Sequence, residues 1–172
     1  VGINPNLVQM VPTPPSKSKT KRLMELADLL VVTGSQNNVR AGYSSGTPAL
    51  GVGQGNVVTI LDETADLNDA AKKIVKSKTF DNATSCSSEN SVIAVRSIYE
   101  EALVALKSAG GLVLDEDETK RVINLHWQNG KMNTALLAQN IEVILDKTGL
   151  AHRADENTRC LILPTTKVGP RA

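Results

Sequence analysis

The apolar positions of the chain fall into two rhythms. Short aliphatic runs bounded by turn residues, "LLVVTGS" (29–35), "NVVTILD" (56–62), "SVIAV" (91–95) and "TRCLILPTT" (158–166), read as strands buried on both faces. Between them, apolar residues recur at helical spacing. They form stripes such as Leu23, Met24, Leu26 and Ala27 in "SKSKTKRLMELAD", and Ala70, Ala71, Ile74 and Val75 in "ETADLNDAAKKIVKSKTF". "SIYEEALVALKSAGG", "DEDETKRVINLHWQ" and "QNIEVILDKTG" extend the helical set; the first ends at the pair Gly110-Gly111 and the second begins on an acidic run. Ser18 or Thr20 is expected to cap the first helix, and "VGINPNLVQMVPTPP" (1–15) reads as a strand between proline turns. Strands alternating with helices predict an α/β fold with parallel sheets.

Two features of the pattern bear on organisation. "LLVVTGS" followed by polar "QNNVRAGYSSG" is the order of a βα unit whose turn accepts phosphate. Four glycines between Gly46 and Gly55 mark the expected seam between two lobes, residues 1–50 and 51–172. Val1 is not a methionine and "TKVGPRA" breaks off within the pattern, so a central piece of a longer protein is expected.

Composition narrows the function. Aromatic residues make up only 2%, so the core must be aliphatic and few rings are available to stack on bases. The net charge of +1 lacks a basic footprint, and no nucleic-acid partner is expected. No apolar run approaches the ~18 residues of a membrane helix, so no membrane partner is expected either. Two cysteines with unlike neighbours make no disulfide framework, which fits reduced thiols in the cytoplasm. No His/Cys cluster suggests a metal, and "DEDE" (115–118) lacks calcium-loop spacing.

Of the two thiols, Cys160 in "RCLIL" reads as strand packing. Cys86 lies in "NATSCSSEN", where small residues let amides approach a reacting atom. A nucleophilic thiol needs a helix N-terminus, a cation or directed N–H groups to stabilise its thiolate. Local sequence alone leaves a small turn cysteine and a nucleophile equally open. His126, His152 and Arg40 read as packing or surface residues, Glu89 as a loop anchor rather than a base, and "SKSKTKR" as a solvated helix face.

The ordered stretches "TGSQNNVRAGYSSGTPALGVGQGN" and "DETADLNDAAKKIVKSKTFDNATSCSSEN" resemble the aldehyde dehydrogenase superfamily. The resemblance is to its acylating, coenzyme-A-dependent branch, and within it most of all to the sulfoacetaldehyde dehydrogenases. It implies an aldehyde-dehydrogenase-like fold with Rossmann-like sheets in two lobes: the end of an NAD(P)-binding domain in 1–50 and the start of a catalytic domain in 51–172. It further implies Cys86 as the nucleophile that forms a thiohemiacetal and then a thioester, and Gly34 and Ser35 at the cofactor pyrophosphate, with NAD or NADP as cofactor. An aldehyde and CoA would be the substrates, and a homo-oligomer the full-length state. Asn56 matches a structural asparagine, and Phe80, Asp81 and Asn82 match the run that shapes the nucleophile's loop. Where hydrolytic members carry a glutamate, Ala49 in "PALGVG" cannot activate water, which favours transfer to CoA. An acetaldehyde-type acylating enzyme and a catalytically silent nucleotide-binding or assembly domain are the alternatives. The oxyanion-hole asparagine, the adenosine-ribose site, the nicotinamide-side glutamate, a later histidine and the oligomerisation hairpin would lie outside these 172 residues, so the chain alone is expected to have little or no activity.

Overall fold

The computed structural model describes residues 2–53 and 55–165, and the chain divides into two compact units, Val1–Gly55 and Asn56–Ala172. Gln54 of the glycine run and Thr166 of the last predicted strand lie outside the described residues.

The first unit contains helix α1 (Lys17–Leu26), strand β1 (Leu30–Thr33), helix α2 (Gln36–Tyr43) and strand β2 (Ala49–Val52). Ser16, rather than Ser18 or Thr20, caps α1 by accepting from the Lys19 amide. Residues 2–15 form no strand: prolines at 5, 12, 14 and 15 remove ladder donors, and Leu7, Val8 and Met10 stand exposed. β1 and β2 pair in parallel, Leu30 opposite Ala49 through Thr33 opposite Val52. Only Leu30 of β1 is buried, whereas Val31 is 70% exposed, so the run expected to be covered on both faces is covered on one.

The glycine run has a packing role within this unit. A Cβ at Gly51 would lie 2.6 Å from Val39 Cγ1 and 2.9 Å from the Tyr43 ring, so α2 can rest on β2 only because Gly51 is bare. The Gly51 amide also donates to the Tyr43 hydroxyl at 3.1 Å.

The second unit runs β3 (Val57–Leu61), α3 (Leu67–Thr79), β4 (Glu89–Ala94), α4 (Tyr99–Ser108), β5 (Gly111–Val113), α5 (Glu116–His126), a hairpin of β6 (Trp127–Gln128) and β7 (Lys131–Met132), α6 (Ile141–Thr148) and β8 (Cys160–Ile162). Among the described residues the strands make two-stranded ladders rather than one continuous sheet: β3 with β4 and β5 with β8, both parallel, and β6 with β7, antiparallel. α3 starts where Asp66 accepts from the Asn68 and Asp69 amides, and α5 starts at a capping box in which Asp115 and Glu118 satisfy each other's backbone N–H. α3 and α4 bury Ala71, Ile74, Val75, Ala102, Ala105 and Leu106 together with Leu61 of β3. Leu114, Val122, Leu145 and Leu150 form a second core under α5 and α6. Glu118, 5% exposed, also forms an ion pair with Arg153, which balances its buried charge.

Replacing Gly51 with alanine forces Val39 or Tyr43 to move. Gly51→Ala should lower stability by about 1–3 kcal/mol, read as a fall in the denaturant midpoint. An unchanged midpoint would show that α2 does not need the bare position.

Candidate active site

The site is built from the connection between α3 and β4. α3 ends at Thr79, whose hydroxyl donates to the Val75 carbonyl at 2.8 Å. Asp81, Asn82 and Ala83 then hold φ values of 51°, 51° and 62°, three successive residues in the left-handed region. Asp and Asn tolerate that region because their short side chains bond locally, whereas alanine has no such compensation. The bonds are present: the Thr84 hydroxyl donates to the Asp81 carboxylate at 2.8 Å and to its carbonyl at 2.6 Å. The Asn82 amide group donates to the Ala138 carbonyl at 3.2 Å, fixing the loop to a segment 56 residues away.

Cys86 follows in a turn closed by the Ser88 amide, which donates to the Ser85 carbonyl at 3.2 Å, and by the Ser88 hydroxyl, which donates to the same oxygen at 2.9 Å. Ser88 is the anchor, 2% exposed, and Cys86 is exposed. Cys86 does not sit at a helix start; a strand follows it. Among the described residues no acceptor engages the amides of Cys86 and Ser87, so the thiol's own residue and its neighbour each keep an unengaged N–H. β4 opens with a bulge: Val57 faces Glu89 and Val58 faces Ser91, which leaves Asn90 unpaired. The Asn90 side chain turns to accept from Lys78 Nζ at 2.8 Å and ties the end of α3 to the start of β4.

Gly34 and Ser35 lie in the first unit, at the end of β1. Gly34 takes φ +123°, a conformation that side chains rarely adopt, and its amide donates to the Val52 carbonyl at 3.2 Å. Ser35 caps α2, its hydroxyl accepting from the Asn38 amide at 3.3 Å. The first-turn N–H groups of Gln36 and Asn37 have no partner within the helix, so this corner presents donors and the positive end of a helix dipole.

The other candidates are placed as follows. Cys160 is half-buried on β8, and burial pushes its thiol up from the ordinary range, with Lys78 opposing only in part. His126 engages the Val122 carbonyl at 2.9 Å within α5, while His152 and Arg40 are exposed. Glu89 begins β4, and one of its carboxylate oxygens is buried without a hydrogen-bond partner. Ala49 begins β2. Phe80 is 69% exposed, so its side chain does not pack under the loop it precedes. Among the described residues there is no group of three or more potential metal ligands and no helix long and apolar enough to cross a membrane. The left-handed run and the bulge went unforeseen in the sequence, although Asp81-Asn82 was a signal for the former.

No family model matches the chain. It is 46% identical over 168 residues to the acylating sulfoacetaldehyde dehydrogenase of Cupriavidus necator, an alignment covering 98% of this chain and 34% of that protein. The crystal structure of an acetylating aldehyde dehydrogenase from Geobacillus thermoglucosidasius superposes with a TM-score of 0.84 at 34% identity, covering 91% of this chain and 35% of the other. A propionaldehyde dehydrogenase from Rhodopseudomonas palustris, solved with bound CoA and an acylated cysteine, superposes with a TM-score of 0.79 at 27% identity, over 87% of this chain and 34% of the other. The chain thus spans about a third of the length of the curated relatives it matches.

Two outcomes follow from this geometry. Relief of the left-handed strain should make Ala83→Gly more stable by about 1 kcal/mol; a destabilised variant in urea melts would show that Ala83 carries no strain. Iodoacetamide at pH 8 should alkylate the exposed Cys86 at least about tenfold faster than Cys160, whose raised pKa and burial withhold its thiolate. Equal labelling by peptide mass mapping would contradict the placement.

Proposed function

From a chain that belongs to the acylating branch of the aldehyde dehydrogenase superfamily, we propose that the full-length protein converts an aldehyde and CoA to an acyl-CoA, with NAD or NADP as oxidant and Cys86 as nucleophile. The observation that carries this is the placement of Cys86: an exposed thiol in a turn with two unengaged amides, held between α3 and β4. The Cys86 thiolate adds to the aldehyde carbon, and the amides of Cys86 and Ser87 donate to the oxygen that gains the charge. Loss of hydride from that carbon leaves a thioester on Cys86. The thiol of CoA then attacks the thioester carbonyl, Cys86 departs as thiolate, and the CoA proton passes to solvent or base.

The corner at Gly34 and Ser35 fits a dinucleotide pyrophosphate, because a left-handed glycine and a serine cap leave first-turn amides pointing outward. When bound, the nicotinamide supplies the hydride acceptor. On this reading the unit Val1–Gly55 closes the cofactor domain and the unit Asn56–Ala172 opens the catalytic domain, since a boundary at 50/51 would cut β2. Ala49, at the end nearest that junction, offers no carboxylate to activate water. The higher identity to a sulfoacetaldehyde enzyme favours that aldehyde over acetaldehyde. A cytoplasmic homo-oligomer is part of the same proposal.

The test is steady-state formation of the acyl-CoA thioester by the full-length enzyme. Cys86→Ala should reduce kcat by at least about 10⁴-fold, while Cys160→Ala stays within about twofold. Sulfoacetaldehyde should exceed acetaldehyde in kcat/KM. A Cys86→Ala enzyme that keeps its rate would end the proposal, and a reversed aldehyde preference would move it to the acetaldehyde type.

A further inference from the structure

The hairpin between α5 and α6 carries the one Asn-Gly pair of the chain, Asn129-Gly130. Its ladder is short: Trp127 lies opposite Met132 and Gln128 opposite Lys131, and every residue from Trp127 to Met132 is exposed. Both turn residues hold positive φ, 53° at Asn129 and 71° at Gly130. The root of the hairpin is firm. There the Asn133 amide donates to the His126 carbonyl at 2.7 Å, and the Asn133 side chain donates to the Leu125 carbonyl at 3.2 Å. Nothing comparable secures the tip. Among the described residues the Asn129 carboxamide has no hydrogen-bond partner, and the Gly130 N–H has no acceptor.

A ladder this short is marginal in water, so the tip opens while the root holds. In the opened turn the Gly130 nitrogen meets the neighbouring carboxamide with no Cβ in the way. No atom lies within 4 Å of the place a Cβ would take at Gly130, so solvent base and water reach the pair. Other asparagines of this unit differ on both counts. Asn82, Asn90 and Asn133 precede alanine, serine and threonine, and each side chain is engaged, by the Ala138 carbonyl, by Lys78 and by the Leu125 carbonyl.

We infer that Asn129 is a self-modification site, converted through a cyclic imide to isoaspartate and aspartate. Base removes the Gly130 N–H proton, and the nitrogen attacks the side-chain carbonyl carbon of Asn129. The new C–N bond closes a succinimide, and the carboxamide nitrogen leaves as ammonia with a proton from solvent. Water then opens the ring at either carbonyl. Attack at the main-chain carbonyl gives isoaspartate, and attack at the other gives aspartate. The sum is asparagine plus water to acid plus ammonia, with no oxidant or reductant. Isoaspartate adds a methylene to the main chain, so the two-residue turn no longer matches its ladder, and the new carboxylate takes the formal charge of the chain from +1 to zero. Its chemical partner is an enzyme that methylates isoaspartyl carboxylates. The inference is independent of the reaction assigned to Cys86.

Ageing the full-length enzyme in warm, mildly alkaline buffer tests it. Peptide mass mapping should show acid replacing amide at Asn129 at least about tenfold faster than at Asn82, Asn90 or Asn133. Isoaspartate should exceed aspartate, and the aged peptide should accept methyl groups from S-adenosylmethionine with an isoaspartate O-methyltransferase. Gly130→Asn keeps a residue that tolerates positive φ but places a Cβ beside the attacking nitrogen, and should slow the change at Asn129 at least about tenfold. Asn129 ageing no faster than the other three, aspartate formed without isoaspartate, or a Gly130→Asn enzyme that ages at the original rate would each overturn the inference.

Discussion

Burial of one face of α3 is the interaction on which the rest of the second unit depends. Ala71, 1% exposed, and Val75, 5% exposed, fix the helix against Leu61 of β3 and against Ala102 and Leu106 of α4. With the helix fixed, so is the place where the chain leaves it at Thr79 and the place where it returns as β4. The intervening nine residues have little freedom left. They cross the gap through three left-handed residues and a serine-closed turn, and Cys86 is the exposed member of that turn. An aliphatic core thus fixes the location of a thiol that itself packs against nothing in that core.

Much of this was legible in the chain. The run "VVTIL" becomes β3 with the expected bounds, and the Ala70, Ala71, Ile74, Val75 stripe faces inward as its spacing requires. The acidic run at 115–118 starts a helix because Asp115 and Glu118 cap it reciprocally. Other elements were hidden for identifiable reasons. β2 lies within "ALGV", where Gly51 lowers strand propensity but is required by the approach of α2. β5 has three residues and begins at Gly111, too short to give a period. The hairpin of β6 and β7 turns on Asn129-Gly130, both at positive φ, a turn signal that directly follows the expected helix 115–128 and went unread. The strand expected before residue 15 does not form, since its apolar residues meet no sheet among the described residues.

The candidate site was legible at a different level. Local sequence left Cys86 undecided, and only the ordered match to a known branch singled it out. The physical basis was invisible beforehand, because it lies in backbone geometry: the left-handed run, the bulge that frees Asn90 for Lys78, and the two unengaged amides. The corner at Gly34 and Ser35 was the reverse case. A strand ending in Gly-Ser before a polar run specifies a left-handed residue and a cap, and both are present. Burial on both strand faces was overestimated: Val31, Ile60 and Ile93 are all at least half exposed.

The most direct measurement of the central claim is intact-protein and peptide mass spectrometry of the full-length enzyme mixed with aldehyde and NAD(P)+ in the absence of CoA. The account predicts an acyl adduct confined to the peptide bearing Cys86, discharged as acyl-CoA when CoA is added. An adduct on Cys160 or elsewhere, or product formed with Cys86 unmodified throughout, would contradict it.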